Sequence, residues 1–339
     1  AFDGLYIIDV SNPASPTIIK GFNTPGLAIR VAVAGNHLYL TDNNFGVQVF
    51  DITTPDNPLL IGTYNSPGEA TDIAVAGDLA FLADGSSGLV ILNITNPASP
   101  TLVGTYNTTG FANDVVVAGD LAFVADDTFG LQVIDITNPA SPTLAGSFNT
   151  PGAAFGVAVG GELAFVADEQ AGGLQIIQIT DQTNPRAIGF FNPTGSTVDV
   201  AVAGDLLFAA CDFSGLKIID ISNPSTPSLV GTYDTTGRAF GVAVAGDLAF
   251  VADDTEGLKI VNISNPASPT LVGTHDTPDH AEDVAVAGNL AFVADRFAGL
   301  RIVDITNPAS PVLKGFYDTP GQSQAVTLAG NLAFVGDAG

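Results

Sequence analysis

The chain has 339 residues, of which 46% are hydrophobic, and its 35 acidic residues against 9 Lys and Arg give a formal net charge of −26. This charge excludes binding to nucleic acid and to anionic membranes, and it favours cations or basic partners. A single cysteine, Cys211, excludes an internal disulfide framework. No apolar run approaches the roughly 18 residues of a membrane-spanning helix, which excludes insertion into a membrane.

One sequence unit recurs eight times and fills the chain. The residue before I/V-[ST] returns every 42 residues, with one interval of 43 that the doubled Gly172-Gly173 explains. Repeats of this length indicate one repeat architecture, so we predict a single domain over residues 1–339. The marker positions are Asp9, Asp51, Asn93, Asp135, Gln178, Asp220, Asn262 and Asp304.

Each repeat predicts four strands in chain order, and no segment has helical periodicity. In the third full repeat, V-V-V-A-G follows Asp114, a turn at Gly119-Asp120 leads to L-A-F-V-A-D, and a loop leads to L-Q-V-I-D-I. The Asn138-Pro139 turn then precedes P-T-L-A-G-S-F, which ends before Pro151-Gly152. The second and third strands are almost continuously apolar, which predicts burial on both faces. Four-stranded sheets repeating at this period are typical of propeller blades.

The two ends of the chain complement each other. The chain begins with third and fourth strands, Leu5 to Asp9 and Thr17 to Phe22, and ends with first and second ones, Ala325 to Ala329 and Leu332 to Val335. Pairing these ends leaves no half-built sheet. We therefore predict an all-β fold, an eight-bladed β-propeller of four-stranded antiparallel blades, closed by N-terminal and C-terminal strands that share one blade.

The pattern G-L-x-[IV]-[IV]-D-[IV]-[ST]-N-P-x-x-P-x-L-x-G resembles the LVIVD repeat of bacterial and archaeal surface proteins. The resemblance covers essentially the whole chain and implies a β-propeller that is secreted or displayed at the cell surface. It carries no enzymatic motif. The chain opens without Met, which we interpret as a mature or trimmed chain. The sequence departs from the pattern at Asp181 to Thr183, where Asp-Gln-Thr replaces Asn-Pro-Ala and leaves the turn geometry open.

The first candidate site precedes the innermost strands, at the predicted channel mouth. Four of its eight positions are aspartates, which repel one another unless a cation or water lies between them. The alternative is that each Asp accepts backbone N–H groups in its own loop. The set is Arg30, Asp72, Asp114, Gly156, Asp199, Gly241, Asp283 and Ala325, in which Asp72, Asp114, Asp199, Asp283 and Arg30 are the candidate ligand or partner contacts.

The second candidate site ends the second strands, where acid recurs in seven of eight repeats. We interpret this recurrence as loop capping. Adjacent acids at Asp126-Asp127, Asp168-Glu169 and Asp253-Asp254 are candidate Ca²⁺ ligands, although none has D-x-D-x-D-G spacing. Calcium is the one cofactor that the sequence leaves open. The set is Asp42, Asp84, Asp126, Asp168, Cys211, Asp253, Asp295 and Asp337.

Aromatic residues form the third candidate site. Phenylalanines lie in alternate loops between second and third strands, 84 residues apart, and others lie in loops between blades. They anchor the loops onto the core, or else stand exposed as an apolar partner site with nearby arginines. The residues are Phe45, Phe129, Phe213 and Phe297 in the first group, Phe111, Phe155 and Phe240 in the second, and Arg30, Arg238 and Arg296 beside them.

Catalytic signals are sparse. His275, Asp276, Asp279, His280 and Glu282 cluster without metal-binding spacing, and Cys211 is predicted to be a buried thiol with no base beside it. The absence of Trp argues against the quinone-dependent dehydrogenases, which dock their blades with Trp-rich motifs. No catalytic residue is assigned. The sequons at Asn93, Asn107 and Asn262 are interpreted as unmodified.

These observations predict a non-enzymatic interaction or structural module, secreted or at the cell surface. It would bind a protein or surface polymer through the loop face of the propeller, and self-association stays open. The alternative is a secreted hydrolase or lyase that uses carboxylates at the channel mouth, since glycoside hydrolysis needs two opposed carboxyl groups.

Overall fold

A computed structural model describes residues 4–54, 57–169, 173–191, 196–223 and 226–338, without the side chains of Glu169 and Ala338. The start of the chain at A-F-D, the side chain of the candidate Ca²⁺ ligand Glu169, and the inserted Gly172 therefore lie outside the description. The chain divides into two compact units, Thr24–Asn192 and the pair of segments Ala1–Asn23 with Pro193–Gly339. We call them the inner unit and the terminal unit after their positions in the sequence. The prediction of a single domain stays a prediction.

The chain opens with β1 (Gly4–Asp9) and β2 (Thr17–Asn23), which belong to the terminal unit. The inner unit then contains four antiparallel sheets, each formed by four consecutive strands in sequential order. Its strands are β3 (Ala28–Ala34), β4 (His37–Asp42), β5 (Val47–Asp51), β6 (Leu59–Tyr64), β7 (Asp72–Ala76), β8 (Leu79–Ala83), β9 (Leu89–Asn93), β10 (Thr101–Tyr106), β11 (Asp114–Ala118), β12 (Leu121–Ala125), β13 (Leu131–Asp135), β14 (Thr143–Phe148), β15 (Ala153–Gly160), β16 (Leu163–Glu169), β17 (Gly173–Gln178) and β18 (Arg186–Phe191).

The terminal unit contains four further sheets, one of which joins the two ends of the chain. That sheet has the order β2-β1-β32-β31, and Gly4 pairs with Asp337 in an antiparallel register. The remaining strands are β19 (Asp199–Ala203), β20 (Leu206–Ala210), β21 (Leu216–Asp220), β22 (Ser228–Tyr233), β23 (Gly241–Ala245), β24 (Leu248–Ala252), β25 (Leu258–Asn262), β26 (Thr270–His275), β27 (Ala281–Ala287), β28 (Leu290–Asp295), β29 (Gly299–Asp304), β30 (Val312–Tyr317), β31 (Gln322–Ala329) and β32 (Leu332–Ala338).

The fold class predicted from the sequence is confirmed: the chain is an all-β, eight-bladed β-propeller whose N-terminal and C-terminal strands share one blade. The described part of the chain contains no helix with the length and hydropathy needed to cross a bilayer.

The core of each blade lies in its second and third strands. Every residue of β12 and β13 is buried except Leu121, the first of β12, and Asp135, the last of β13. Neighbouring blades cover both faces of the sheet. Phe123 at the centre of β12 packs against Val157 and Val166 of the following blade. The predicted burial on both faces is confirmed. The fourth strands are the outer edges, and leucines such as Leu102 remain exposed there.

Within each unit, glycines in the fourth strands allow the next blade to dock. A Cβ placed on Gly104 would lie 2.3 Å from the carbonyl oxygen of Pro139, in the Asn-Pro turn of the next blade. Gly146 meets the Gln182 carbonyl in the same way, and Asn184 N–H donates to the Asp181 carbonyl at 3.1 Å. The Asp181 to Thr183 segment, which departs from the repeat pattern, therefore forms the same turn as the Asn-Pro-Ala segments of the other repeats. The same approach recurs at Gly62, Gly231, Gly273 and Gly315.

We expect Gly104→Ala to destabilise the chain by about 1–3 kcal/mol, because the added methyl overlaps backbone that cannot move away without separating two blades. Gly160→Ala is the matched control, since its Cβ would meet only Phe165 at an ordinary 3.8 Å. Denaturant unfolding of both variants measures the difference. Equal stability of the two would show that the turn does not constrain the strand.

Candidate functional site

The aspartates of the first-strand set connect neighbouring blades. In the inner unit, Val115 N–H donates to Asp72 Oδ2 at 3.1 Å and Val157 N–H donates to Asp114 Oδ2 at 2.7 Å. In the terminal unit, Val242 N–H donates to Asp199 at 2.8 Å and Val326 N–H donates to Asp283 at 2.9 Å. Each donor belongs to the next blade, whereas the sequence interpretation placed it in the aspartate's own loop. That interpretation is wrong for these bonds, although Val200 and Val284 add the predicted local bonds to Asp199 and Asp283.

Packing accounts for part of the variation at these positions. A small residue follows three of the four aspartates in the next blade: Gly156 after Asp114, Gly241 after Asp199, and Ala325 after Asp283. A Cβ on Gly156 would lie 3.7 Å from Asp114 Oδ2, an ordinary contact distance, so the carboxylate lies directly beside the position that a larger side chain would occupy. The small residue at position 156 is therefore compatible with the aspartate of the preceding blade.

Asp72 and Asp114 are consecutive members of the set in the inner unit. Burial raises the pKa of Asp114 well above its ordinary value, and the charge of Asp72 and a hydrogen bond between the two carboxyl groups raise it further. The Val157 N–H and the Arg30 guanidinium oppose this rise in the Asp114 pKa. Asp114 therefore keeps its proton more readily than an isolated carboxyl group, and the arrangement requires no cation between the two.

The second-strand set holds the loop that leads into each blade. Asp126 is fully buried and accepts a hydrogen bond from Gly110 N–H at 2.9 Å. Its own backbone closes the following loop, because Asp126 N–H donates to Gly130 O and Asp126 O accepts from Phe129 N–H. The backbone of Asp126 therefore caps the following loop, as predicted. Its side chain instead binds the preceding loop through Gly110. Equivalent bonds to the carboxylate join Gly26 to Asp42, Gly68 to Asp84, Gly152 to Asp168, Gly237 to Asp253 and Gly321 to Asp337.

A hydroxyl side chain also donates a hydrogen bond to some of these carboxylates, a contact that the sequence analysis missed. Thr150 Oγ1 donates to Asp168 at 2.8 Å, and Thr319 donates to Asp337 at 2.8 Å. The sequence signal was present as [ST]-x-G, which begins 18 residues before the aspartate. The repeat with Cys211 lacks that signal. Cys211 is buried beside Thr197 at 3.8 Å, and burial raises the pKa of its thiol to about 11, which confirms the prediction of a buried thiol.

The candidate calcium ligands divide into two kinds. Asp126 and Asp253 are fully buried and hold the glycines of their loops, whereas Asp127 and Asp254 have left-handed backbone conformations, with φ of 46° and 51°. Asp254 contacts the imidazole of His280. Over the described ranges, no three His, Cys, Asp or Glu side chains are grouped so as to hold a metal ion. Calcium binding stays a prediction.

The four loop phenylalanines occupy two different positions, because the insertion at residue 172 shifts the register. Phe45 and Phe129 close the turns, since their N–H groups donate to Asp42 O at 2.7 Å and Asp126 O at 2.9 Å. Phe129 also lies over Gly110, where a Cβ would be 2.9 Å from its ring. These two side chains are 45% and 44% exposed.

Phe213 and Phe297 stand one position earlier in their loops and project further. They are 70% and 61% exposed, so the anchoring interpretation does not describe them. Of the phenylalanines between blades, Phe155 is exposed, Phe111 lies over Gly85, and Phe240 is half-buried. The loop phenylalanines thus combine anchors with projecting side chains.

Arginines accompany the projecting rings in the terminal unit. The Arg238 guanidinium lies 5.1 Å from the centre of the Phe213 ring and 4.7 Å from that of Phe240, and its Nε donates to Asp212 at 2.6 Å. Arg296 lies 5.6 Å from the Phe297 ring, and its Nε donates to Gln322 at 3.0 Å. Both arginines are held in place by stacking and a hydrogen bond.

The acidic and histidine cluster lies between these arginines. Glu282 is half-buried, which raises its pKa, and the charges of Arg296, His280 and Arg238 act against that rise. His280 contacts Asp254 and lies 3.4 Å from Asp279, while His275 sits on β26 with a pKa lowered by burial. The residues that cluster in the sequence therefore do not form one group in the structure. His280, Asp279 and Glu282 lie near the arginines, whereas His275 lies apart from them on β26.

We expect the chain to be more stable near pH 4 than near pH 8. Burial raises the pKa of Asp42, Asp84, Asp126, Asp168, Asp253 and Asp295 above the ordinary 3.8. Stability from such groups is complete below pH 3.8 and is lost as pH rises through the raised pKa values. Exposed acids act in the opposite direction at lower pH, since Thr306 holds the pKa of Asp304 at about 2.

Melting temperatures at the two pH values measure this effect. Asp126→Asn should reduce the difference between them, and Asp120→Asn, in an exposed turn, should leave it unchanged. A melting temperature that rises steadily from pH 4 to pH 8 would contradict the assignment.

The sequence matches the LVIVD repeat model in eight segments: residues 1–24, 25–66, 67–108, 109–150, 151–192, 194–235, 236–277 and 278–319. No curated protein matches it. Among solved structures it is similar to the computationally designed protein Ika8, with 10% identity, a TM-score of 0.78, and coverage of 93% of this chain and 94% of Ika8.

Two natural proteins are also similar in structure. Sqt1 of Chaetomium thermophilum, solved with the N-terminus of ribosomal protein L10, has 11% identity and a TM-score of 0.70 over 99% of this chain and 97% of Sqt1. A putative 6-phosphogluconolactonase of Bacteroides fragilis has 12% identity and a TM-score of 0.63 over 95% and 96%. At such identities the likeness shows the fold alone. The eight matched segments cover nearly the whole chain, and the chain therefore belongs to the LVIVD repeat family.

Proposed function

We propose that this chain is a non-enzymatic interaction module, secreted or displayed at the cell surface, that binds a protein through the loop face. The loop face comprises the loops between second and third strands and the loops that lead into first strands. The observation that carries the proposal is the exposure of Phe213 and Phe297 at the tips of such loops. Exposed aromatic side chains are enriched where proteins bind one another.

Three further observations support this proposal. The loops are fixed by buried hydrogen bonds such as that from Gly110 to Asp126, so the surface is ordered before a partner arrives. Family membership favours the cell surface, as the resemblance implied. Sqt1, which shares the fold, was solved with a peptide segment of another protein. A surface polymer or a second copy of this chain are the other partners that the loop face admits.

A second candidate is a hydrolase or lyase, and the Asp72–Asp114 pair is the observation that favours it. A carboxyl group with a raised pKa, hydrogen-bonded to a second carboxyl group, resembles the paired carboxyl groups of glycosidases. The backbone bonds from Val115 and Val157 already give the pair a structural role, which makes this candidate the weaker one. Turnover of a glycoside or ester that disappears in Asp114→Asn would be needed to support it.

A photo-crosslinking amino acid placed at Phe45 or Phe213 tests the interaction proposal. In the presence of cell-envelope and secreted proteins of the source organism, we expect both positions to form a discrete crosslinked species. Leu102 and Leu271, exposed on outer strands, are the control positions and should form none. Equal crosslinking at all four positions, or none at Phe45 and Phe213, would contradict binding through the loop face. Size measurement at raised concentration distinguishes a partner from a second copy of the chain.

A further inference from the structure

The projecting phenylalanines of the terminal unit belong to one continuous strip. Phe213 contacts Arg238 at 5.1 Å, and Glu282 lies within electrostatic reach of both Arg238 and Arg296. Arg296 in turn lies 5.6 Å from Phe297. We name this surface the Phe213–Phe297 strip, and its members are Asp212, Phe213, Arg238, Phe240, Asp254, Asp279, His280, Glu282, Arg296 and Phe297.

Each arginine of the strip is already neutralised within the chain. Arg238 bonds to Asp212 at 2.6 Å, and Arg296 lies 4.0 Å from Glu282. Asp254 and Asp279 remain as further carboxylates, both directed to His280. Four carboxylates therefore face two guanidinium groups, and the strip is acidic like the chain as a whole. An acidic surface of this kind attracts a basic partner and repels an acidic one.

Each projecting ring also has carboxylate groups beside it. Asp212 precedes Phe213 in the sequence, and Asp279 Oδ2 accepts a hydrogen bond from Phe297 N–H at 3.0 Å. An aromatic face next to a carboxylate is the pair of groups that recognises a guanidinium, through a cation–π contact and a salt bridge. The chain's own Arg238 binds in this way, between two rings and against Asp212. One face of Phe213 meets Arg238, and the ring is still 70% exposed.

We propose that the Phe213–Phe297 strip is a docking site for an arginine-rich segment of a partner protein. Arginine side chains of the partner stack on the exposed faces of Phe213 and Phe297 and pair with the neighbouring carboxylates. This proposal rests on the proposed function and specifies the chemistry of the partner. Arginine is favoured over lysine because its planar guanidinium stacks on an aromatic ring and forms two parallel hydrogen bonds to a carboxylate.

The test measures binding of a fluorescent arginine–glycine peptide to the full chain at physiological ionic strength, which screens long-range attraction to the net charge. Replacing both rings, Phe213→Ser with Phe297→Ser, should weaken binding about tenfold, as expected for the loss of two cation–π contacts. The matched control is Phe190→Ser with Phe316→Ser, two exposed phenylalanines on the outer strands β18 and β30, and it should leave binding nearly unchanged. None of these changes alters the charge of the chain.

A second pair of variants separates stacking from apolar contact and guards against misfolding. Phe213→Leu with Phe297→Leu keeps the apolar area and removes the aromatic faces. It should lower the affinity for the peptide as strongly as the serine variant does. Thermal melts of every variant confirm that the chain is folded.

Three results would overturn the proposal: equal weakening by the strip and control variants, no weakening by either, or tighter binding of a glutamate–glycine peptide. The first would mean that the peptide binds exposed phenylalanines without preference for the strip, and the second that it responds only to the total charge. Any of the three, together with specific crosslinking at Phe45 or Phe213, would leave the interaction function standing and reject only the arginine-rich partner. Absence of both crosslinking and peptide binding would reject the function itself.

Discussion

The buried carboxylate that ends seven of the eight second strands is the constraint on which the rest of the loop face depends. A carboxylate removed from water is costly unless hydrogen bonds replace its hydration. Asp168 meets this requirement by binding Thr150 and Gly152, which fixes the loop leading into its blade. The raised pKa of these aspartates shows that the bonds offset only part of the cost of burial. The chain thus gives up some stability to hold its loops in one position.

Contacts between blades use backbone groups more than side-chain pairs. The first-strand aspartates accept N–H groups of the next blade, and glycines such as Gly104 admit the carbonyl of the next blade's turn. Because each partner is a backbone group, identical repeats can build identical junctions without matched pairs of side chains. Among the described residues of the terminal unit, polar side chains also pair across blade junctions: Asp212 with Arg238, Asp254 with His280, and Arg296 with Gln322. These charged and polar pairs distinguish the surface at those junctions from the junctions that rely on backbone groups.

The repeat period and the apolar strands were enough to predict the fold, including the blade shared by Gly4–Asp9 and Leu332–Ala338. The site was only partly predictable. The donor to Asp114 is the N–H of Val157, and a backbone donor leaves no mark in the sequence. The regular spacing of Phe45, Phe129, Phe213 and Phe297 was misleading, because one inserted residue places the last two in a different loop position. Pairs such as Asp212 and Arg238 became visible only when two blades were placed side by side.

Amide hydrogen exchange in Asp126→Ala tests most directly whether the buried carboxylates hold the loop face. If they do, the amides of residues 108–112 should lose most of their protection, because Gly110 N–H no longer has an acceptor. The amides of β12 and β13 should retain theirs. Unchanged protection of residues 108–112 would contradict the account, since the loop would then be held by something other than the carboxylate.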